Sequence, residues 1–271
     1  MEFLGLILVG FLAATYGSLI GAGGGFIMVP ILILIFPSKL AATITAISLT
    51  AVFFTGLSST IAFARQKRID YRLGIIFLIT AIPGSIIGAL VISFIPQSFF
   101  QIIFGMLLIS LAIYTFSKLQ KNPTSTINGN GTLRKVVDSQ GNIYEYKVNQ
   151  KIGIGMTGGV GFLAAMLGVG GGIINTPLFV VALKIPIHIA TATSQVIISG
   201  SSLAANITNI LEGDLNDQWL IALALTIGAI IGAQLGARIS QKIKTPILTR
   251  FLAIGLFIVG VNLTIRGVQI L

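Results

Sequence analysis

The sequence predicts an all-helical, polytopic membrane protein with about eight transmembrane helices in two four-helix repeats. Three observations support this fold class. Only 9% of the 271 residues are charged, whereas a soluble domain carries about 25%. Uncharged stretches long enough to cross the hydrocarbon core as helices recur along the chain. A glycine-rich motif that would break such a helix begins at residue 21 and again at residue 168.

The predicted spans follow the uncharged stretches in chain order. Each is expected to be a helix, because the bilayer core offers no water to pair exposed backbone groups. A shorter apolar piece after each glycine motif would cover about half of the bilayer as a helix. Residues 1–118 form the first repeat, with spans at 3–20, 40–64, 73–95 and 98–117 and the short piece 26–36, and residues 151–271 form the second, with spans at 152–167, 187–211, 218–238 and 247–267 and the short piece 173–183.

The short pieces determine how the two repeats are related. If they do not cross the bilayer, each half crosses four times and the repeats are parallel. If they cross fully, each half crosses five times and the repeats are inverted. The sequence leaves both arrangements open.

The basic residues indicate the orientation of the chain. Loop 65–72 and the central segment 118–151 are rich in Lys and Arg, lie on the same side and are expected to be cytoplasmic. With four crossings per half, the cations Arg238, Lys242 and Lys244 would face the outside, which conflicts with this rule. The acidic loop 212–217 would then face the inside.

Residues 119–150 form the one extended polar segment of the sequence. Residues 121–131, KNPTSTINGNG, have the composition of a flexible linker. Two β-prone runs then flank Ser-Gln-Gly-Asn at 139–142, which predicts a small β-hairpin. We interpret the segment as a cytoplasmic connector, with gating or docking of a partner as the alternative.

The doubled motif reads GAGGGFIMVP at 21–30 and GVGGGIINTP at 168–177. Glycines let the chain leave helical geometry, and a helix that restarts presents unpaired N–H groups with partial positive charge. Such a helix N-terminus binds anions. Close helix packing is the alternative role for glycine, and it suits Gly84, Gly88, Gly228 and Gly232 better. We therefore predict one anion site from Gly21, Gly23, Gly24 and Gly25 with Gly168, Gly170, Gly171 and Gly172.

Polar side chains follow each motif and are candidates to complete this site. Amides are costly against lipid, so they are expected to face a cavity or a neighbouring helix. The candidates are Thr45, Ser48, Asn175, Thr193, Ser194 and Gln195. Ser194 and Gln195 align with Ile47 and Ser48 when the two motifs are superimposed.

Several functional classes are disfavoured by what the spans lack. No Asp, Glu, Lys or Arg lies near the middle of a predicted span, which argues against a metal-cation transporter or a proton pump. With one His and no Cys, the chain offers no nucleophile and base and no metal ligands for an intramembrane enzyme. No cofactor is expected. The net charge of +10 lies in loops that face anionic lipid rather than nucleic acid.

These features resemble the sulfite exporter TauE/SafE family of membrane permeases. The resemblance covers nearly the whole chain. Its residues are Gly17, Gly21, Gly23, Gly24, Gly25 and Pro30, their counterparts Gly168, Gly170, Gly171, Gly172 and Pro177, the stretch Ala192-Thr193-Ser194 and the loop Arg68-Ile69-Asp70-Tyr71. Loop 212–217 departs from the family pattern because it lacks the basic residues of its first-half partner.

The resemblance implies a multi-pass protein of the cell membrane with about eight helices in two repeats. It also implies a secondary transporter, often an exporter, of a small sulfur-containing oxyanion such as sulfite or an organosulfonate. An anion channel and a non-transporting sensor or assembly protein remain alternatives. The anion, the direction, the oligomeric state and a coupling ion, proton or sodium, are left open by the sequence.

Overall fold

The structure is a computed structural model that describes residues 2–119, 131–240 and 245–270. Within these residues it contains ten α-helices and one two-stranded β-hairpin. They are α1 (Glu2–Ile20), α2 (Gly25–Ile35), α3 (Ala41–Arg65), α4 (Tyr71–Val91), α5 (Gln97–Leu119), β1 (Thr132–Val137), β2 (Ile143–Val148), α6 (Gln150–Met166), α7 (Gly172–Val181), α8 (Ile187–Glu212), α9 (Trp219–Ser240) and α10 (Thr245–Ile270).

The helical fold class is confirmed, and the helices follow the predicted spans closely. Four of the described helices, α1, α3, α4 and α9, are long and apolar enough to cross a membrane by length and composition. These helices are typical of a polytopic membrane protein. That all eight predicted spans cross the bilayer stays a prediction. The linker predicted at 121–131 lies almost wholly outside the described residues.

Local signals in the sequence explain where several helices begin and end. The Asp70 side chain caps α4 by accepting a hydrogen bond from the Leu73 N–H at 3.1 Å. Asn149 caps α6 in the same way at the Ile152 N–H. Gly213, at φ 84°, ends α8 in the left-handed conformation that favours glycine.

Helices at equivalent positions in the two halves make equivalent contacts. α1 packs along α9 while its counterpart α6 packs along α4. α3 packs on α9, and its counterpart α8 packs on α4. Two further contacts join a helix to its own counterpart: α3 packs on α8, and α5 packs on α10. The two halves are therefore related by a pseudo-twofold axis, and each half packs mainly against helices of the other.

The paired counterparts run in opposite directions. Asn206 of α8 bonds to Leu49 and Thr50 of α3, whereas further along α3 Gly56 lies against Ser199. Since the residue number falls along α8 as it rises along α3, these helices are antiparallel. α5 and α10 are antiparallel by the same test. Of the two arrangements that the sequence left open, the structure has the inverted one.

The inversion follows from the short helices α2 and α7. α1 runs parallel to α9, as the contacts of Gly228 and Gly236 with α1 show. α3 also runs parallel to α9, because Ser58 bonds to Ile230 and Gln66, further along α3, bonds to Ala237. A chain can pass between two parallel helices only by returning between them, and α2 makes that return. Each half therefore contains five helices, four that follow the predicted spans and one that follows the short piece, and the repeat architecture of eight membrane crossings is not confirmed.

The observed arrangement removes the conflict with the charge rule. The Gln66 side chain donates to the Ala237 carbonyl at 2.9 Å, which places the end of α9 beside the end of α3. Arg238 therefore lies on the same face as the basic loop 65–72. The acidic loop 212–217 lies on the opposite face, because α8 runs antiparallel to α3. Lys242 and Lys244 lie outside the described residues.

Isolated glycines allow the close packing of α4 with α6 and of α1 with α9. A Cβ on Gly84 would overlap the carbonyl oxygen of Gly158, and one on Gly228 would overlap that of Ile7. The packing role expected for Gly84 and Gly228 is confirmed. In lipid, small residues bring helices together because the backbones can approach closely.

We expect Gly84→Ala to destabilise the protein by roughly 1–3 kcal/mol, because the added methyl group overpacks the α4–α6 contact. Gly159→Ala, on α6, is the matched control, since nothing lies within 4 Å of its added Cβ. The control should be neutral or stabilising by up to about 1 kcal/mol through helix propensity. Unfolding midpoints in detergent measure both, and equal midpoints for the two variants would contradict the close contact.

Candidate anion site at the broken helices

Both glycine motifs break the helix at the predicted places. After α1 ends at Ile20, Gly21, Gly23 and Gly24 adopt φ values of 79°, 79° and 84°. Their counterparts Gly168, Gly170 and Gly171 adopt 73°, 74° and 87° before α7 begins. Only glycine enters this left-handed region without steric cost. The spacing of the glycines in the motif is therefore set by the shape of the turn.

The two breaks contact each other in the interior of the protein. A Cβ on Gly25 would lie 2.7 Å from the Gly168 carbonyl oxygen, and one on Gly172 would overlap the Gly21 carbonyl oxygen. The glycines of both breaks are buried. Val52 of α3 and Ile198 of α8 pack against them from either side. The structure therefore brings together the two groups of glycines that the sequence predicted to lie at one site, and both groups are enclosed in the protein interior.

Hydroxyl groups pair the carbonyl groups at the ends of the broken helices. Ser48 Oγ donates to the Gly168 carbonyl at 2.7 Å. Ser194 Oγ and Thr176 Oγ1 both donate to the Gly21 carbonyl, at 3.0 Å and 2.8 Å. Ser48 is thus the structural counterpart of Ser194, not of Gln195, because α3 and α8 are shifted by one residue relative to the motif alignment.

The first N–H groups of α2 and α7 lack hydrogen-bond acceptors. Neither helix has a side-chain cap at its N-terminus. In the part of the chain that the structure describes, no acceptor pairs the N–H groups of Gly24, Gly25 and Phe26, or those of Gly171, Gly172 and Ile173. These groups carry the partial positive charge of a helix N-terminus. Two such termini meet at the contact between the breaks.

One face of α8 adds polar side chains to this region. Thr191, Gln195, Ile198 and Ser202 follow helical spacing and share that face. Thr191 contacts Gly21, Ile198 contacts Gly23 and Gly172, and Ser202 contacts Gly170. Gln195 lies between them and is 0% exposed.

The polar atoms on this face lack partners in the described part of the chain. They are both amide atoms of Gln195, Thr191 Oγ1, Ser202 Oγ and, on α7, Asn175 Oδ1. Burying an amide without a hydrogen bond costs free energy. Such groups beside two uncapped helix N-termini are typical of a binding site for a polar ligand.

Other predicted site residues have different roles in the structure. Thr45 Oγ1 donates to the Ala42 carbonyl of its own helix. Thr193 Oγ1 accepts a hydrogen bond from the Asp70 N–H at 3.1 Å, so it contacts loop 65–72 and not the breaks. Of the predicted polar side chains, only Asn175 and Gln195 have unpaired atoms here. Their role in binding a substrate stays a prediction.

Sequence reasoning missed Thr176, Thr191 and Ser202. Thr191 and Ser202 could have been found from their helical spacing with Gln195 along α8. Thr176 gives no such signal, because its contact with Gly21 joins residues that are far apart in the chain. Only the inverted packing of the two breaks brings that pair together.

The hydroxyl pairing predicts unequal effects of two matched substitutions. Ser48→Ala leaves the buried Gly168 carbonyl unpaired and should cost roughly 1–3 kcal/mol. Ser194→Ala should cost less, since Thr176 still pairs Gly21. Unfolding midpoints in detergent test this order.

The exposed Ser110, which bonds within its own helix, supplies the control Ser110→Ala. A larger loss for Ser194→Ala than for Ser48→Ala would contradict this account of the carbonyl pairing.

Comparison with known proteins gives matches over most of the chain. The family model of the sulfite exporter TauE/SafE matches residues 6–263. The probable membrane transporter protein YunE of Bacillus subtilis is 35% identical over 274 residues, which cover 99% of both chains.

More distant relatives bear similar names. A probable membrane transporter protein of Methanocaldococcus jannaschii is 32% identical over 209 residues, covering 75% of this chain and 70% of that protein. One of Haemophilus influenzae is 31% identical over 174 residues, covering 64% and 59%. No solved structure matches the chain significantly.

Proposed function

Because the chain belongs to the sulfite exporter TauE/SafE family, we propose that this membrane transporter exports a small sulfur-containing oxyanion, such as sulfite or an organosulfonate. The observation that carries the proposal is the contact between two uncapped helix N-termini beside the unpaired amide of Gln195. Its relatives bear the names of transporters, which supports a function without catalysis.

Neutral donors suit a transporter of anions. The N–H groups at Gly25 and Gly172 would meet the negative oxygens, and Gln195 and Asn175 would add amide donors. No charged side chain belongs to this set. An anion held by dipoles alone binds without a fixed cation, which favours its release on the other side.

The buried side chains near the breaks that have unpaired polar atoms among the described residues all come from the second half of the chain. Met28 occupies the position in its motif that Asn175 occupies in the other. Thr45 and Thr191 make equivalent contacts with the two breaks. Gln195 lies four residues after Thr191, and Leu49 lies four residues after Thr45, so Leu49 is the counterpart of Gln195. The side-chain donors would thus come from α7 and α8, whereas α2 would contribute only its backbone N–H groups and α3 an apolar surface.

In alternating access, the contact between the two breaks would open first to one side of the membrane and then to the other. The moving units would be mixed bundles, not the two sequence repeats. The glycine contacts hold α1 to α9 and α6 to α4 at backbone distance, and such packing resists sliding. We infer that one bundle contains α1 and α9 and the other contains α4 and α6.

Gln195→Leu should reduce anion exchange by about tenfold or more, because it removes a hydrogen bond to a charged ligand. It should not lower the unfolding midpoint, since it also removes a buried unpaired amide. Gln101→Leu is the matched control. Gln101, on α5, is also 0% exposed with both amide atoms unpaired among the described residues, and its replacement should leave exchange unchanged.

Exchange is best measured as counterflow in liposomes that contain the purified protein. The panel is labelled sulfite, sulfoacetate, thiosulfate, sulfate and chloride, with and without proton or sodium gradients. Selective exchange of a sulfur anion supports the carrier, whereas resolvable unitary currents in electrical recordings would favour the channel. Full exchange by Gln195→Leu would reject the site, and no exchange of any anion by folded protein would favour a sensor or assembly role.

We also propose that the face with loop 65–72, Arg238 and the hairpin is cytoplasmic, as its basic residues indicate. The chain has no cysteine, so single-cysteine variants report position cleanly. A membrane-impermeant maleimide should label Asn216→Cys in intact cells but should label Gln140→Cys only after lysis. Both side chains are exposed. Labelling of both variants in intact cells would contradict the inverted arrangement.

A further inference from the structure

The β-hairpin covers a second group of buried polar side chains, remote from the broken helices. β1 lies antiparallel to loop residues 66–70. The Ser139 N–H donates to the Gln66 carbonyl at 2.9 Å. Arg68 Nη2 lies 3.7 Å from Asp138 Oδ2, and Arg134 Nε lies 3.5 Å from Asp70 Oδ2. Two guanidinium groups and two carboxylates are therefore enclosed between the hairpin and the helices.

The carboxylates of this cluster are well supplied with hydrogen bonds. Asp138 accepts from the N–H groups of Gln140 and Asn142, from the Asn142 side chain and from Tyr144 Oη. Burial acts to raise the pKa of Asp138, but the hydrogen bonds from Asn142 and Gln140 and the charge of Arg68 lower it overall. Asp138 is therefore ionised at neutral pH. Asp70 accepts from the Leu73 N–H and, at 2.9 Å, from Tyr146 Oη.

The guanidinium groups lack acceptors. Arg68 is 2% exposed, yet no acceptor among the described residues pairs its Nε or Nη1. Its Nη2 is too far from Asp138 for a hydrogen bond. Arg134 Nη2 is unpaired in the same way. Gln66 Oε1, two residues before Arg68, is an unpaired acceptor. The Gln66 side chain is held by α9, however, because its Nε2 donates to the Ala237 carbonyl. The cluster thus contains more buried donors than acceptors, which is costly for charged groups.

We propose that Arg68 binds a small oxyanion beneath the hairpin, at a site distinct from the transport site. Guanidinium groups bind sulfate, sulfite and phosphate through charge-assisted hydrogen bonds. The unpaired Nε and Nη1 of Arg68 supply the donors. The burial of Arg68 favours a free anion over a lipid headgroup, whose acyl chains would have to remain in the bilayer.

A groove of about 450 Å³ leads towards this cluster. It lies between loop residues 67–71 and β1 and reaches the Arg134–Asp70 pair of the cluster. Three cations, Lys67, Lys135 and Arg134, and one carboxylate, Asp70, contribute to its lining. Cations along a groove attract anions towards it. Asp138 is the charge that an entering anion must compete with, since it is the carboxylate nearest to Arg68. Removing the Asp138 charge should therefore strengthen anion binding, although it weakens the hairpin contact.

The test measures the unfolding midpoint of the purified full chain in detergent against sodium sulfate concentration, with sodium chloride holding the ionic strength constant. All variants carry Gln195→Leu, which limits the contribution of the broken helices. Ligand binding to the folded protein raises the midpoint. We expect Arg68→Gln to lose the sulfate-dependent rise. Arg65→Gln, which removes an exposed charge from the same segment, should keep it.

Asp138→Asn separates binding from a purely structural role. We expect it to reach the same rise at about tenfold lower sulfate, because the competing charge is gone. A structural ion pair alone predicts a lower midpoint with unchanged sulfate dependence. That result, or a full rise in Arg68→Gln, would overturn the proposal. This variant keeps the test decisive if Arg68→Gln fails to fold.

The source of the anion is tested in lipid nanodiscs. With neutral lipids the sulfate response should persist. A midpoint raised by phosphatidylglycerol alone, and only when Arg68 is present, would overturn the assignment to a free anion. Counterflow measures anion exchange at the broken helices, whereas the unfolding midpoint measures sulfate binding at Arg68. Either proposal can therefore fail while the other stands.

Discussion

The structure depends on the direct contact between two broken helices inside an apolar protein. Breaking a helix frees carbonyl groups at one end and N–H groups at the other, and neither lipid nor apolar side chains can pair them. Here the carbonyl groups are paired by Ser48 from the opposite half and by Ser194 and Thr176 across the same contact. In the part of the chain that the structure describes, no acceptor pairs the N–H groups. The carbonyl end of the contact is therefore structural, and the N–H end is where we propose that an anion binds.

The inverted arrangement follows from the same contact. Two identical turns can meet face to face when a twofold axis passes between them, so Gly25 packs on Gly168 as Gly172 packs on Gly21. The short helices α2 and α7 return the chain and allow α3 and α8 to cross beside the breaks in opposite directions. The glycine contacts of α1 with α9 and of α4 with α6 then hold the two halves together. An internal duplication has thus produced one core from two copies of a turn.

Stability and binding appear as opposite demands at Gln195 and Arg68. Each is buried with unpaired polar atoms, which lowers the stability of the folded protein. Gln101 is also buried with both amide atoms unpaired among the described residues, so Gln195 and Arg68 are distinguished by what surrounds them and not by burial alone. At Gln195 the surroundings are neutral dipoles, whereas at Arg68 they are full charges. The first environment suits an anion in transit and the second suits an anion held in place.

The sequence by itself determined the helices, the glycine breaks and their pairing as counterparts. Length, hydropathy and the doubled motif are local properties, and each is visible in a single stretch such as 21–30. Tertiary structure alone decided the inverted relation of the halves, because the return of the chain at α2 depends on what α1 and α3 pack against. It also decided the one-residue shift that makes Ser48 the structural counterpart of Ser194, and the contact between Thr176 and Gly21. Hydrogen bonds between residues so far apart in the chain depend on register between helices, which no local pattern encodes.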